Sequence, residues 1–293
     1  MIGIFDSGSG GLSVLREILR ILPKEKYVYY SDNANCPYGE KSVEFIRNRA
    51  REITRLLISK GAQIIVVACN TATAAAISVL REEFPVKFIG MEPAVKPAAL
   101  SSKTGVIGVL ATAGTLKASR YLNIKEMFGD GTKIAEHVGE GFVELVENGI
   151  LDGPEAEETV RKSVLPLVAA GADRIVLGCT HYPFLRKVIE RVAGPGVQVI
   201  DPAPAVARHL AEVMKQEGLL DHEYADVPAA AEPVTAGQVA AGQAAAGQAA
   251  GEPEAAHPAA EIELIASGPE LPARRLLDTI ISGHAGRQTA TKS

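Results

Sequence analysis

Nine residues in the first half of the chain recur later without a gap, and this repeat constrains the fold more than any other feature. Gly61-Ala62-Gln63-Ile64-Ile65-Val66-Val67-Ala68-Cys69 aligns with Gly171-Ala172-Asp173-Arg174-Ile175-Val176-Leu177-Gly178-Cys179, and five of the nine positions are identical. Both copies read as a turn glycine, a continuously apolar strand and a terminal cysteine. A looser match lies upstream, where Gly3-Ile4-Phe5-Asp6-Ser7 corresponds to Gly108-Val109-Leu110-Ala111-Thr112. A strand-end loop and a later strand-end cysteine thus occur once in each half. The pattern predicts two pseudo-equivalent α/β domains that face one another.

The rest of the chain keeps the same rhythm. Strands are expected at 2–5, 27–31, 64–68 and 87–90, separated by helices whose apolar residues recur every three or four positions. Leu12, Leu15, Ile18, Leu19 and Leu22 mark the first helix, stopped by Pro23. Val43, Ile46, Ala50, Ile53 and Leu57 mark the second, and 71–84 reads as the third. The series restarts with strands at 104–110, 133–137, 174–178 and 197–200 and helices at 114–122, 142–148, 159–169 and 183–192. A helix at 202–217 is expected to cross back to the first domain. Continuously apolar strands alternating with helices indicate parallel sheets covered on both faces. Residues 225–260 depart from this, with repeated Ala-Gly-Gln at 236–238, 241–243 and 246–248. So little apolar surface does not offset ordering entropy, so this segment is read as a disordered insert. A strand at 261–266 and a helix at 271–281 follow, with 284–293 as a flexible tail. The expected domains are therefore 1–95, completed by 205–224 and 261–283, and 96–204.

Composition enters as a filter. A net charge of −5 offers no basic face to nucleic acid or anionic membrane, and 5% aromatic residues with no Trp give no base-stacking platform. No apolar run reaches membrane-spanning length, and the start Met1-Ile2-Gly3-Ile4 lacks secretory character. Three cysteines without a CxxC pair suit neither a disulfide framework nor a structural zinc site. A cytoplasmic setting is expected, in which a lone cysteine is either packing or chemistry.

Cys69 and Cys179 sit where a parallel strand gives way to a helix, the place where open α/β sheets bind ligands. Helix N-termini there offer free N–H groups and partial positive charge, which favour both a thiolate and a bound carboxylate. Two thiols, one from each domain, suit removal of a proton from one face of a carbon and delivery to the other. Asp6 and His181 are placed to set the proton balance. Either cysteine alone would read as a small buried hydrophobe; the repeat argues against that for the pair. Cys36, without a counterpart, reads as structural or incidental, and His181 alone reads equally as a loop residue. The same residues also admit a zinc site from Cys69, Cys179 and His181, which lacks a fourth ligand, and a thiol hydrolase, which leaves the second cysteine unexplained. Gly8-Ser9-Gly10-Gly11 with Asp32 partly matches a dinucleotide fingerprint, but the third glycine falls at Ser13. The plainer view is a tight turn whose amides hold a carboxylate. A two-lobed binding protein for an acidic ligand, and a scaffold contacting a partner through the insert, also stay open.

Four motifs in order resemble the signatures of glutamate racemases, in the wider aspartate/glutamate racemase superfamily. They are Asp6-Ser7-Gly8-Ser9-Gly10-Gly11, Pro37-Tyr38-Gly39, Ala68-Cys69-Asn70-Thr71-Ala72 and Gly178-Cys179-Thr180-His181-Tyr182-Pro183. The resemblance covers roughly residues 1–220 and resumes near 262–281. It implies two pseudo-symmetric, doubly wound, flavodoxin-like domains with the active site in the cleft between them. It also implies interconversion of L- and D-glutamate without metal or pyridoxal cofactor, supplying D-glutamate for peptidoglycan, and a homodimer. By the same resemblance, Cys69 acts on D-glutamate and Cys179 on L-glutamate. Asp6, His181 and Glu147 tune them, although Glu147 by itself reads as a solvated helix residue. Ser7, Pro37, Tyr38 and Gly39 would hold the side-chain carboxylate, and Asn70, Thr71 and Thr180 the α-carboxylate. Thr112 and Thr115 would line the same cleft. The insert is the main departure from the family pattern.

Overall fold

The computed structural model describes residues 1–128, 131–220, 222 and 260–290. The insert expected at 225–260 lies almost wholly outside the described residues, and so do 291–293 of the expected tail.

The first half begins with β1 (Ile2–Asp6), α1 (Leu12–Ile21), β2 (Lys26–Ser31) and α2 (Val43–Ser59). It continues through β3 (Ile64–Val67), α3 (Asn70–Glu83), β4 (Lys87–Gly90) and α4 (Val95–Ser101). The second half follows as β5 (Val106–Ala111), α5 (Ala113–Lys117), α6 (Ser119–Phe128), β6 (Lys133–Val138), α7 (Phe142–Glu147) and α8 (Pro154–Ala169). Then come β7 (Arg174–Gly178), α9 (Arg186–Ala193), β8 (Gln198–Ile200), α10 (Ala203–Gln216), β9 (Glu261–Ala266) and α11 (Leu271–Ala290).

Two parallel sheets result, ordered β4-β3-β1-β2-β9 and β6-β5-β7-β8. Each is doubly wound, with its switch in strand order at β1/β3 in one half and β5/β7 in the other. Register makes the duplication residue-exact: Ile2 pairs with Ile64 as Ile107 pairs with Arg174, and Phe5 with Val67 as Leu110 with Leu177. The repeat's initial glycine has a backbone reason, because Gly61 and Gly171 take φ of 94° and 92°, where a Cβ is strained. β1 and β3 are buried along their whole length, as strands covered on both faces must be.

α1 buries Leu12, Leu15, Ile18 and Leu19, and packs against α10, which returns to the first sheet as expected. A continuous apolar cluster joins Leu15 and Leu210 to Phe142, Leu177 and Tyr182, so the two halves are packed on one another. β9 completes the first sheet beside β2. Beyond it, Ser267 Oγ accepts from the Ala34 amide at 3.1 Å, and the Gly268 amide donates to Asn33 Oδ1 at 2.9 Å. The chain's last strand thereby buttresses the loop that carries residues 33–40.

Several boundaries differ from the sequence reading. The helix expected at 114–122 breaks at Ala118, whose extended ψ of 135° separates α5 from α6. α8 starts at Pro154 rather than Thr159; proline serves as its first residue, and Glu155 and Glu157 complement the N-terminal dipole. α4 was not anticipated, since Pro97 discourages a helix there but is tolerated in a first turn. α11 runs to Ala290, past the expected end at Ile281 and into the expected tail, through a stretch with no proline.

Candidate active site

The site forms where the two switch points meet. Cys69, Asn70 and Thr71 follow β3; Cys179, Thr180 and His181 follow β7; Asp6 and Ser7 end β1; Thr112 ends β5. One pocket is lined by Ser7, Pro37, Tyr38, Gly39, Cys69, Asn70, Thr71, Thr112, Val143, Cys179, Thr180 and His181. It encloses room for a single water, about 10 Å³, so the cleft stands closed. A wider vestibule of about 450 Å³ adjoins it, sharing Gly39 and Thr71 and carrying Lys41, Arg47 and Lys117 beside Glu40.

Cys69 has extended φ/ψ and caps α3, its Sγ accepting from the Ala72 amide at 3.4 Å and reaching Ser7 Oγ at 3.7 Å. Burial, and then the charge of Asp6, push its thiol well above the usual range, against the Ala72 amide. The Cys179 thiol is near enough to add to that push. Cys179 Sγ lies 3.8 Å from His181 Nδ1, and His181 Nε2 lies 2.7 Å from Glu147 Oε1. Burial alone would lower the imidazole's pKa, but its bonds to Cys179, Cys36 and Glu147 prevail and hold it well above the ordinary value. Glu147 moves the other way. Burial raises it, yet His181 and the Ser9 donors at 2.8 and 3.0 Å hold it below the usual carboxylate range. An imidazolium–carboxylate pair thus backs Cys179.

Asp6 is fully buried, and burial raises its pKa although the charge of His181 and several donors oppose the shift. Its Oδ1 accepts from the Ser7 amide at 2.6 Å, and its Oδ2 from the Gly11 amide and from Thr180 Oγ1 at 3.1 Å. The Asp6–Thr180 bond crosses between halves. So do Ser9–Glu147 and the bond from Ser13 Oγ to the Thr180 carbonyl at 2.8 Å. Thr71 Oγ1 lies 3.0 Å from Thr112 Oγ1 and 3.3 Å from Thr115 Oγ1, a further set of hydroxyls across the cleft. Tyr38 donates to Asp32 Oδ2 at 2.5 Å, and Arg49 clamps Asp32 at 2.6 and 3.0 Å. Asn70 is buried, and neither its amide nitrogen nor its oxygen has a partner among the described residues. A buried unpaired amide on a cleft wall is a standing demand for a polar ligand.

All the expected site residues converge, but not equally. Asp6, Glu147 and Thr115 stand one layer behind the wall, acting on Ser7, His181 and the threonine pair. Val143 lines the cleft and was not anticipated; its spacing of four from Glu147 on α7 is the sequence signal. Cys36 was read as structural or incidental, yet it stands beside Glu147 and His181, with donor atoms of the three within 4.8 Å of one another. Its adjacency to Pro37-Tyr38-Gly39 is the clue in the sequence. The glycine turn is not a dinucleotide cradle: its Ser9 and Gly11 amides hold the chain's own Glu147 and Asp6 carboxylates, and Asp32 is tied to Arg49.

This geometry has known counterparts. The Asp/Glu/Hydantoin racemase family model matches residues 2–210. A glutamate racemase from Methylococcus capsulatus is 50% identical over 224 residues, which span 76% of this chain and 83% of that protein. Glutamate racemase isoform RacE1 from Bacillus anthracis has a solved structure that superposes with a TM-score of 0.76 at 29% identity, covering 96% of this chain and 94% of that one. Escherichia coli glutamate racemase, solved with L-glutamate and the activator UDP-MurNAc-Ala, gives a TM-score of 0.68 at 36% identity, covering 78% and 85%. With the family model spanning most of the chain and half of 224 aligned residues shared with a relative, the chain belongs to the Asp/Glu/Hydantoin racemase family, alongside its glutamate racemases.

Proposed function

We propose that this protein interconverts L- and D-glutamate by proton transfer between Cys69 and Cys179, with no cofactor. The observation that carries the reading is the pair of thiols at equivalent strand ends, on one closed cleft otherwise lined mainly by polar side chains. The E. coli relative with bound L-glutamate supports the substrate. In this reading the cleft lies between residues 1–95, completed by 205–224 and 261–283, and residues 96–204.

With L-glutamate, the Cys179 thiolate takes the α-proton and the Cys69 thiol delivers its own to the opposite face. Each thiol must then exchange its proton state before the next turnover in the same direction. Imidazolium at His181, held by Glu147, stabilises the Cys179 thiolate across 3.8 Å. Asp6 and Cys69 share the task on the other side. When Asp6 carries a proton, the charge that opposes a Cys69 thiolate is gone; when Asp6 is ionised, the proton resides on sulfur. That coupling lets Cys69 act as acid toward L-glutamate and as base toward D-glutamate. Asn70, Thr71 and Thr180 bind the α-carboxylate at the helix start. Ser7 and the Pro37–Gly39 loop bind the side-chain carboxylate, with Thr112 and Thr115 supporting that wall. Space for one water does not admit glutamate, so the halves part for entry past the vestibule lysines and reclose for reaction.

The family resemblance extends the reading to D-glutamate supply for peptidoglycan by a cytoplasmic homodimer. Among the described residues no helix is long and apolar enough to cross a membrane. The test is incubation with D-glutamate in D₂O without pyridoxal phosphate and with a chelator. Optical rotation and Cα deuterium are followed, with aspartate as control. Loss of rotation with deuteration, abolished in Cys69→Ala and in Cys179→Ala, is the expected result. No exchange from folded, reduced protein overturns the reading, and exchange with aspartate alone overturns its substrate. Sedimentation at micromolar concentration checks the dimer.

A further inference from the structure

Cys36 has no part in that proton path, yet it stands where the path's supporting residues converge. Its Sγ comes from the loop after β2, the Glu147 carboxylate from the end of α7, and the His181 imidazole from the turn after β7. These three elements bring one donor atom each to within 4.8 Å of the other two. A second feature marks the same spot. A Cβ at Gly8 would stand 2.3 Å from Glu147 Oε1, 3.0 Å from Cys36 Sγ and 3.2 Å from His181 Nε2. The three donors therefore converge over one glycine, whose missing side chain lets them come this close to the backbone.

From this convergence we propose that Cys36, Glu147 and His181 bind a divalent metal ion of the zinc class, and that the bound metal inhibits racemisation. The second half of the proposal rests on the racemase reading above. Zinc bonds of about 2.0–2.3 Å set tetrahedral ligand-to-ligand distances near 3.3–3.8 Å. The donors reach that arrangement by small shifts: the 2.7 Å His181–Glu147 contact opens, and the sulfur already lies within 4.8 Å of both partners. A thiolate, an imidazole and a carboxylate together favour zinc over magnesium or calcium, which take oxygen ligands. Three protein ligands leave a fourth position for water, and partial exposure of Cys36 and Glu147 gives the ion a way in. On binding, Cys36 releases its thiol proton and the His181 imidazolium its Nε2 proton to solvent, and the freed Nε2 lone pair goes to the metal. Glu147 exchanges its bond with the imidazole for a bond to the ion. The side chain that backs Cys179 is then fixed by the metal and is no longer the imidazolium that the racemase reading requires.

The experiment uses full-length protein stripped by a chelator. Zinc is titrated against a chromophoric competitor, cobalt(II) is added separately to observe the near-ultraviolet thiolate-to-cobalt band, and racemisation is measured alongside. The wild type is expected to bind one metal per chain with that band. Cys36→Ser should lose the band and bind zinc at least about 10-fold more weakly, on the scale of lost metal-site contacts. Zinc should slow the wild type, chelator should restore it, and Cys36→Ser should need at least about 10-fold more zinc for half inhibition relative to its own metal-free rate. Cys36→Ala, checked by circular dichroism, guards against a folding artefact. Zinc binding unchanged in Cys36→Ser, or lost in Cys69→Ser instead, overturns the site. Binding through Cys36 without loss of rate overturns the inhibition. Binding through Cys36 by a protein that racemises nothing, even when stripped, supports the metal site and sinks the racemase reading alone.

Discussion

Gly10→Ala tests whether the closed cleft is the reacting arrangement. A Cβ at Gly10 would lie 2.4 Å from His181 Nδ1, 2.7 Å from Cε1 and 2.8 Å from Cγ, whereas ordinary contact begins near 3.4 Å. Relief requires about 1 Å of separation. His181 has nowhere to go, being 1% exposed and held between Cys179 and Glu147. Gly10 belongs to the β1–α1 turn and His181 to the other half, so the methyl is accommodated by holding the two halves apart. A displacement of about 1 Å at a reacting group is worth on the order of 100-fold in rate, or about 2.7 kcal/mol of barrier. Stability should fall by less than that, because opening relieves the contact. The assay is kcat/KM in both directions, with a thermal melt in parallel. Gly61→Ala is the control: its φ of 94° makes alanine cost about 1–2 kcal/mol of stability, yet no described residue lies within 4 Å of the added carbon, so turnover should hold. A Gly10→Ala protein with wild-type kcat/KM would refute the argument, since catalysis would not then need His181 where it stands.

Asn70→Ala should raise KM about 10- to 100-fold, the loss of a hydrogen bond to a charged group, while leaving the melting temperature unchanged or higher; its amide has no partner among the described residues. A lower melting temperature with unchanged KM would assign Asn70 to folding. Asp32 is held below the usual carboxylate range: burial opposes this, but Arg49, Tyr38 and Asn35 outweigh it. Its contribution is therefore present above the unfolded value of 3.8 and lost as pH falls through the lower folded value. Asp32→Asn should lower stability near neutral pH by less than the about 3–5 kcal/mol of a fully buried broken pair, since Arg49 keeps some solvent. It should also flatten the acid limb of stability against pH, read by denaturant titration between pH 3 and pH 7. Deleting residues 228–258, which lie outside the described residues, should leave turnover nearly unchanged. Shortening the connection between α10 and β9 to about 13 residues should add about 1 kcal/mol of stability. A folded but inactive deletion would tie the segment to the Asn33–Gly39 loop that β9 supports.

Much of this molecule is legible in one dimension because its information is local. Strand order follows from alternating apolar runs and helical periodicity. The pairing of Cys69 with Cys179 follows from a repeat whose register the sheets reproduce residue for residue. The helix start accounts for the Ala72 amide at Cys69, but burial and the charge of Asp6 outweigh it and hold that thiol up. Ala118 and Pro154 were misjudged because a helix boundary depends on one residue's backbone, to which periodicity is blind.

Charge placement was decided in three dimensions. Asp6 has only Ala111 as its counterpart, so the duplicated frame is chemically unequal, and that inequality takes effect only when Asp6 is buried against Thr180 of the other half. Glu147 looks like a solvated helix residue until α7 sets it against His181, and Cys36 looks incidental until the β2 loop is braced by β9. These residues lie far apart in the chain, and their proximity results from two sheets packing switch point to switch point. Local residue patterns suffice for the two α/β halves and the matched thiols, because strands and helices are written in neighbouring residues. Which carboxylate and which imidazole serve each thiol was settled by tertiary packing, because burial and distance set proton affinity and neither is a property of local sequence.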